Sequence, residues 1–220
     1  MKRKNTNIDE MALKILAAAR ASNLPFDDYK KLSGQELDNL LEGYEDPRVA
    51  YREKLKRGEI KPDYHQSLIA KYEFFRKNIH EPKRVFYPCC GADASPIRGF
   101  PNSEVVLMDE DNDAAEIMRQ NNTSNFIPGD VLKHKPQVPY DLIILLNPTL
   151  PSKDLTRHLV LGGYVLANNY TKNVAQLLRD KRFEGIGTLK ENENGIFLAE
   201  RDFSIFENFP DYFGVFKKLK

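Results

Sequence analysis

The spacing of apolar residues divides the chain into two parts with different periods. Up to residue 82, apolar positions recur every three or four residues, which is typical of amphipathic helices. Four helices are predicted there, through Ile8–Ala19, through Leu37–Tyr44, from Pro47 to Gly58 and from about Pro62 to Ile79. Pro82 ends the last of them, because the residue before a proline leaves the helical region. We therefore expect an N-terminal helical region over residues 1–82, packed over the carboxyl edge of a following sheet.

After residue 82, short apolar runs alternate with turn residues and helical patterns. The predicted strands are Val85–Tyr87, Val105–Met108, Phe126–Ile127, Leu142–Leu146, Gly163–Ala167, Gly185–Leu189 and Ile196–Ala199. The predicted helices between them are Asn112–Gln120, Lys153–Val160 and Thr171–Phe183. This alternation favours an α/β domain over residues 83–220 with a mostly parallel sheet. The last two runs are joined by a short segment ending in Asn194-Gly195, which predicts a C-terminal antiparallel hairpin.

Composition and charge exclude several classes of protein. The 220 residues include 33 basic and 32 acidic ones, so no global field draws the chain to nucleic acid or to a membrane. No stretch approaches the ~18 uncharged apolar residues of a membrane-spanning helix. Cys89 and Cys90 are adjacent and the four histidines are scattered, so we expect neither a disulfide framework nor a metal site. The expected location is the cytoplasm, with no membrane partner.

Polar residues follow four consecutive predicted strands. They lie in the loop Pro88–Asp93, in Asp109-Glu110-Asp111, in Gly129-Asp130 and in Asn147-Pro148. The carboxyl ends of parallel strands meet at one edge of a sheet, and ligands bind there in open α/β sheets. A carboxylate such as that of Asp109 can accept hydrogen bonds from both hydroxyls of a ribose, whereas Asp111 and Asp113 suit the first turn of the following helix.

The order and spacing of these segments resemble the class I S-adenosylmethionine-dependent methyltransferases over about residues 83–203. Pro88–Asp93 is similar to the glycine-rich first motif of that family, with Gly91 at its central glycine. The resemblance implies a Rossmann-like fold and S-adenosylmethionine as cofactor, with Asp109 at the ribose and Asp130 at the adenine. The cofactor-binding residues it implies are Pro88, Cys90, Gly91, Asp93, Asp109, Glu110 and Asp130. It places Asn147 and Pro148, at the end of the fourth strand, beside the methyl donor and its acceptor.

Departures from the family pattern leave the acceptor open. Cys89 and Asp93 stand where the family usually has its flanking glycines, and prolines shorten the helix that Ser95-Pro96 should begin. Asn147-Pro148-Thr149-Leu150 matches only half of the Asn-Pro-Pro-aromatic motif of amino-group methyltransferases. Our interpretation is that Asn147 accepts a hydrogen bond from a nucleophile's N–H or O–H and so orients its lone pair. The acceptor is a small molecule or a macromolecular side group.

Two other functions stay open from the sequence. One is a binding protein that kept the fold and lost the chemistry, with the basic run Arg52–Lys61 as an RNA surface. The other is a nicotinamide-dependent oxidoreductase, although Cys89, Gly91 and Ala94 match its fingerprint poorly. The C-terminal aromatic residues are expected to seal the sheet or a dimer contact; they are Phe203, Phe206, Phe209, Tyr212, Phe213 and Phe216.

Overall fold

The computed structural model describes residue 36, residues 47–207 and residues 212–220. The chain divides into two compact units at the boundary between Glu59 and Ile60. In the first unit, helix α1 spans Pro47–Lys56. It ends shortly before Gly58, whose φ of 69° leaves the helical region. The two earlier predicted helices lie outside the described residues; Glu36, directly before the second of them, is helical.

The second unit begins at Ile60, whereas the change in sequence period indicated a boundary at residue 82. Its first helix, α2, spans Gln66–Asn78 and buries Ile69, Tyr72 and Phe75. Tyr72 and Phe75 belong to the same buried cluster as residues of the sheet. A helix that buries its apolar face against a sheet is part of the domain of that sheet. Helix α2 is therefore an integral layer of the α/β unit.

Eight strands form one sheet in the order β3-β2-β1-β4-β5-β8-β6-β7. Their bounds are β1 Arg84–Pro88, β2 Glu104–Asp109, β3 Phe126–Pro128, β4 Tyr140–Leu145, β5 Leu159–Ala167, β6 Phe183–Asn192, β7 Gly195–Glu200 and β8 Phe213–Lys218. Neighbouring strands from β3 to β5 are parallel, and β8 is antiparallel to both β5 and β6. The α/β class and the mostly parallel sheet are as predicted, and all seven predicted strands are present.

Strand β8 is the element that the sequence pattern did not predict as a strand. Phe213 and Phe216 are buried in clusters on opposite faces of the sheet, so these two aromatic residues are part of the sheet itself. The six residues of β8 are too few to show a clear periodicity in the sequence. Their extended conformation is set by pairing with β5 and β6. Because β8 is antiparallel, the sheet differs from the all-parallel order 3-2-1-4-5-6 of dinucleotide-binding domains.

The predicted hairpin is present, since β7 pairs antiparallel with β6. Its reversal lies at Glu193-Asn194, one residue earlier than predicted, because Asn192 pairs with Gly195. The Asn192 side chain accepts a hydrogen bond from the Asn194 N–H at 2.9 Å. Gly195 has a φ of 109°, a conformation that favours glycine.

The remaining helices are short. They are α3 Ser95–Gly99, α4 Asn112–Gln120, α5 Ser152–Leu155 and α6 Asn173–Arg179, with 3₁₀ turns at Val131–Lys133 and Ser204–Glu207. Helix α4 has its predicted bounds, whereas the helix predicted over 153–160 is shortened because β5 begins at Leu159. Among the described residues, no helix is long and apolar enough to cross a membrane.

Helices cover both faces of the sheet. Alternate strand residues such as Val85 and Leu142 pack with α2 on one face, and Phe86 and Ile143 pack with α5 and α6 on the other. The N-terminal helices were expected over the carboxyl edge of the sheet, whereas α2 lies on one of its faces. Among the described residues of this unit, the segment before α2 reaches that edge, where the His65 N–H donates to Oγ of Ser95 at 2.9 Å.

Candidate active site

The ends of β1 and β2 are joined by the carboxylate of Asp109. Its Oδ2 accepts a hydrogen bond from the Gly91 N–H at 2.7 Å, and its Oδ1 accepts one from the Asp111 N–H at 2.9 Å. The side chain is half-buried. Each carboxylate oxygen has two lone pairs, so each retains capacity for one further donor. This geometry brings the predicted loop glycine and the predicted ribose-binding acid into direct contact.

The loop after β1 turns through two residues with left-handed backbone conformations, Cys89 with φ 55° and Gly91 with φ 54°. A Cβ built on Gly91 would have no atom within 4 Å, so the loop leaves open space beside this residue. Open space next to Gly91 and the Asp109 carboxylate suits a ligand with hydroxyl groups. Pro88 precedes the turn as the last residue of β1 and is buried.

The two cysteines of the loop are free thiols. Burial, followed by the charges of Asp109 and Glu110, raises the pKa of Cys89 to about 11. Burial also raises the pKa of Cys90, which lies 5% exposed in the core. Both thiols are therefore protonated near neutral pH, and the thiolate that a nucleophilic cysteine needs is not populated.

Asp93 faces the interior of the protein and is 8% exposed. Its Oδ1 accepts hydrogen bonds from the N–H of Ser95, at 2.8 Å, and from the hydroxyl of Ser95, and its Oδ2 accepts one from the Tyr87 hydroxyl at 3.3 Å. The backbone N–H of Asp63 also donates to the Ala92 carbonyl at 2.9 Å. The hydrogen bonds of Asp93 thus fix the course of the loop from its buried side, and Ser95 is the first residue of α3, as the sequence predicted.

The third strand brings Gly129 and Asp130 to the same edge. The Gly129 N–H donates to the Asp109 carbonyl oxygen at 2.8 Å. Asp130 caps the first 3₁₀ turn by accepting from the Leu132 N–H at 2.8 Å, and it forms an ion pair with Lys133 at 3.3 Å. Glu110, beside Asp109, is exposed. Asp111 caps α4 through the Ala114 N–H at 2.8 Å, as predicted.

Asn147, at the end of β4, pairs with Asn168, at the end of β5. The backbone N–H of Asn147 donates to Oδ1 of Asn168 at 3.1 Å, and Nδ2 of Asn168 donates to Oδ1 of Asn147 at 2.6 Å. Asn168 is 4% exposed, whereas Asn147 is exposed and has a φ of 55°. The oxygen that the sequence interpretation gave to a nucleophile is therefore engaged by Asn168. Pro148 is buried.

Asn168 is a site residue that the sequence analysis missed. It directly follows the predicted strand Gly163–Ala167, so the rule that selected Asp109 and Asn147 would also have selected it.

The charge of the basic run Arg52–Lys61 is partly neutralised, because Lys56 pairs with Glu53 at 2.9 Å and Arg57 pairs with Glu59 at 2.5 Å.

Comparison with solved structures identifies the fold. The N-methyltransferase NodS from Bradyrhizobium japonicum WM9, in complex with S-adenosyl-L-homocysteine, superposes with a TM-score of 0.52 at 11% identity, over 76% of this chain and 98% of NodS. A putative O-methyltransferase from Klebsiella pneumoniae gives a TM-score of 0.49 at 10% identity, over 83% of this chain and 96% of its own. No protein-family model and no curated protein matches the sequence.

The fold conclusion rests on NodS together with the strand order. Five parallel strands run in the order 3-2-1-4-5, and an antiparallel strand lies between β5 and β6. At 11% identity the similarity concerns the fold and not the substrate. The described residues of the second unit form a class I methyltransferase fold.

Proposed function

We propose that this protein is an S-adenosylmethionine-dependent methyltransferase. The observation that carries the proposal is the contact between the Gly91 N–H and the Asp109 carboxylate at 2.7 Å. This contact joins the loop after β1 to Asp109, the acidic residue that ends β2, at the carboxyl edge of the sheet, where a fold of this kind binds its ligand. NodS, which shares the fold, was determined with S-adenosyl-L-homocysteine bound.

The proposed cofactor residues divide by position. Asp109 would accept hydrogen bonds from the ribose hydroxyls through its remaining lone pairs, and Glu110, exposed beside it, would face the same part of the ligand. Gly91 would provide close backbone approach, since nothing fills the space beside its Cα. Asp130 would contact the adenine amino group. Pro88, Cys90 and Asp93 would act indirectly, by fixing the course of the loop.

When bound, the cofactor supplies a methyl group on a sulfonium sulfur, and its sulfur retains the electron pair of the broken S–C bond. Transfer of this kind needs in-line alignment more than it needs acid–base help. Asn147 and Pro148, at the end of β4, would form the side of the site that positions the acceptor. The protein's task is therefore to hold two ligands at one edge of the sheet.

Isothermal titration calorimetry tests this function. S-adenosylmethionine and S-adenosylhomocysteine should both release heat and saturate at one site, whereas NAD⁺ and NADH should not bind. The absence of binding by either sulfur compound at millimolar concentration would refute the proposal. Binding of NAD⁺ alone would favour an oxidoreductase instead.

A binding protein with this fold is the second candidate, and two features of the loop after β1 favour it. Cys89 occupies a left-handed position that suits glycine, and the Asp93 carboxylate is turned inward, so two positions of the loop depart from the family pattern. The cofactor titration distinguishes the two candidates. Salt-dependent binding of an RNA oligonucleotide without cofactor binding would support this alternative.

A further inference from the structure

The orientation of the Asn168 amide is fixed by a group whose role is unambiguous. A backbone N–H is always a donor, so the side-chain atom of Asn168 that meets the Asn147 N–H at 3.1 Å must be its oxygen. Amide oxygen and nitrogen are otherwise hard to tell apart, and the hydrogen-bond network decides between them. Nδ2 of Asn168 consequently faces the Asn147 side chain.

The same reasoning fixes Asn147. Since Nδ2 of Asn168 is a donor, the Asn147 atom that it meets at 2.6 Å must be an acceptor, which is Oδ1. The Nδ2 group of Asn147 therefore points away from Asn168. It makes no hydrogen bond within the part of the chain that the structure describes, and Asn147 is exposed. The end of β4 thus presents the two N–H donors of Nδ2, together with the one lone pair that Oδ1 of Asn147 retains beside Asn168.

From this polarity we propose that the acceptor of the methyl group is an oxyanion, a carboxylate or an acidic phenolate, bound by Nδ2 of Asn147. The inference rests on the proposed function and specifies its substrate class. A donor beside an anionic oxygen favours its charged form. A neutral amine could accept from Nδ2 of Asn147 only through its single lone pair, which is the pair that must attack the methyl group, whereas an oxyanion keeps further lone pairs for the transfer.

The surrounding sequence agrees with an acceptor that is already ionised. Residues 147–151 and 168–171 contain no Asp, Glu, His, Lys or Arg, so neither segment supplies a carboxylate, an imidazole or an amine as a general base. An ionised oxygen needs none. Its lone pair forms the new O–C bond, the S–C bond breaks with its pair going to sulfur, and no proton has to leave. In this proposal Asn147 acts as a donor through Nδ2, which differs from the acceptor role that the sequence predicted for it.

Nuclear magnetic resonance tests the polarity without requiring turnover or the natural substrate. The side-chain NH₂ signals of Asn147 are assigned in ¹⁵N-labelled full-length protein by their loss in Asn147→Ala. Acetate and methylammonium are then titrated, each with and without S-adenosylhomocysteine. We expect a saturable shift of the Asn147 NH₂ signals with acetate and none with methylammonium. A response to methylammonium alone, or to neither probe, would overturn the inference.

Asn168→Asp is the matched variant. An aspartate still accepts the Asn147 N–H but cannot donate, so the Asn147 amide should turn and present its oxygen. The acetate response should then disappear and a methylammonium response should emerge. Retention of the acetate response in this variant, with a wild-type circular dichroism spectrum, would contradict the role of Asn168. If the variant does not fold, the wild-type titration decides alone. Failure of S-adenosylhomocysteine to bind would refute the methyltransferase proposal separately, because the acetate response is also measured without it.

Discussion

At two places on the carboxyl edge of the sheet, a side chain from one strand end accepts a backbone N–H from the neighbouring strand end. We call these contacts the β1–β2 joint and the β4–β5 joint. They leave opposite kinds of hydrogen-bonding group for a ligand. At the β1–β2 joint, the Asp109 side chain accepts the N–H of Gly91, which lies in the loop that leaves the neighbouring strand. At the β4–β5 joint, the Asn168 side chain accepts the N–H of Asn147 in the same way. The first acceptor is a carboxylate and the second is an amide. That difference decides which polar groups remain for a ligand.

A carboxylate has only acceptors, so the β1–β2 joint offers further lone pairs to a ligand that donates, such as a ribose. An amide has donors as well, and the pairing of two amides leaves the outer Nδ2 of Asn147 for a ligand that accepts. The two joints therefore give one edge an accepting side and a donating side. Fold alone would not distinguish them, because both are polar residues after a strand.

We expect the strongest change in ligand affinity on the accepting side. Asp109→Ala should weaken S-adenosylhomocysteine binding by about 30- to 1,000-fold, or about 2–4 kcal/mol, because two charge-assisted hydrogen bonds to the ribose are lost. Calorimetry measures this change. Asp109 also holds two backbone N–H groups, so the free energy of unfolding should fall by about 1–2 kcal/mol in the same variant.

Asp113→Ala is the control for this variant, since Asp113 is exposed in the first turn of α4 and caps nothing. Asp111 is unsuitable because it caps that helix. If Asp109→Ala and Asp113→Ala bind S-adenosylhomocysteine equally well, the assignment of Asp109 to the ribose is wrong. If Asp109→Ala lowers the free energy of unfolding but not the affinity for S-adenosylhomocysteine, the Asp109 carboxylate stabilises the β1–β2 joint and does not bind the ligand.

The donating side should show the reverse pattern. Asn168→Ala removes a buried acceptor and donor together, so urea denaturation should show a loss of about 1–3 kcal/mol in the free energy of unfolding. Affinity for S-adenosylhomocysteine should change less than with Asp109→Ala. Thr149→Ala, an exposed change in the segment after β4, should leave both quantities unaltered. A large loss of cofactor affinity in Asn168→Ala would show that the joints are not separate.

A smaller effect separates backbone strain from ligand contact. Gly91→Ala should cost about 1–2 kcal/mol of stability, because its φ of 54° is unfavourable for a residue with a Cβ. Gly162→Ala, at φ 78° and likewise with no atom within 4 Å of the added Cβ, should cost a similar amount. Only Gly91→Ala should also weaken cofactor binding. Equal affinities in the two variants would place the ligand elsewhere.

The smallest effect concerns a region outside both joints. Burial, and then the neighbouring His158, lowers the pKa of His134, and burial lowers the pKa of His158. The folded protein therefore binds fewer protons than the unfolded chain below about pH 6.5, so its stability should decline as the pH falls through that value. Thermal unfolding at pH 7.5 and 5.5 measures this. His134→Phe should reduce the dependence; an unchanged dependence would exclude His134 as a contributor.

Most of the α/β unit could be predicted from the sequence. Alternation of short apolar runs with helical patterns predicted seven of its eight strands, and the rule that ligands bind at the carboxyl ends of strands selected Gly91, Asp109, Asp130 and Asn147. These features follow from local periodicity and from the position of a residue relative to its strand, and both are visible along the chain.

The remaining features depend on contacts that form only in the folded protein. Strand β8 lies between β5 and β6 because of pairings across the sheet, and α2 joins this unit through contacts distant in sequence. The inward turn of Asp93 and the outward donors of Asn147 depend on Ser95, Tyr87 and Asn168, partners that the residue types alone do not specify. Hydrogen-bond direction is a property of a pair, and the pairs exist only once the strands lie side by side.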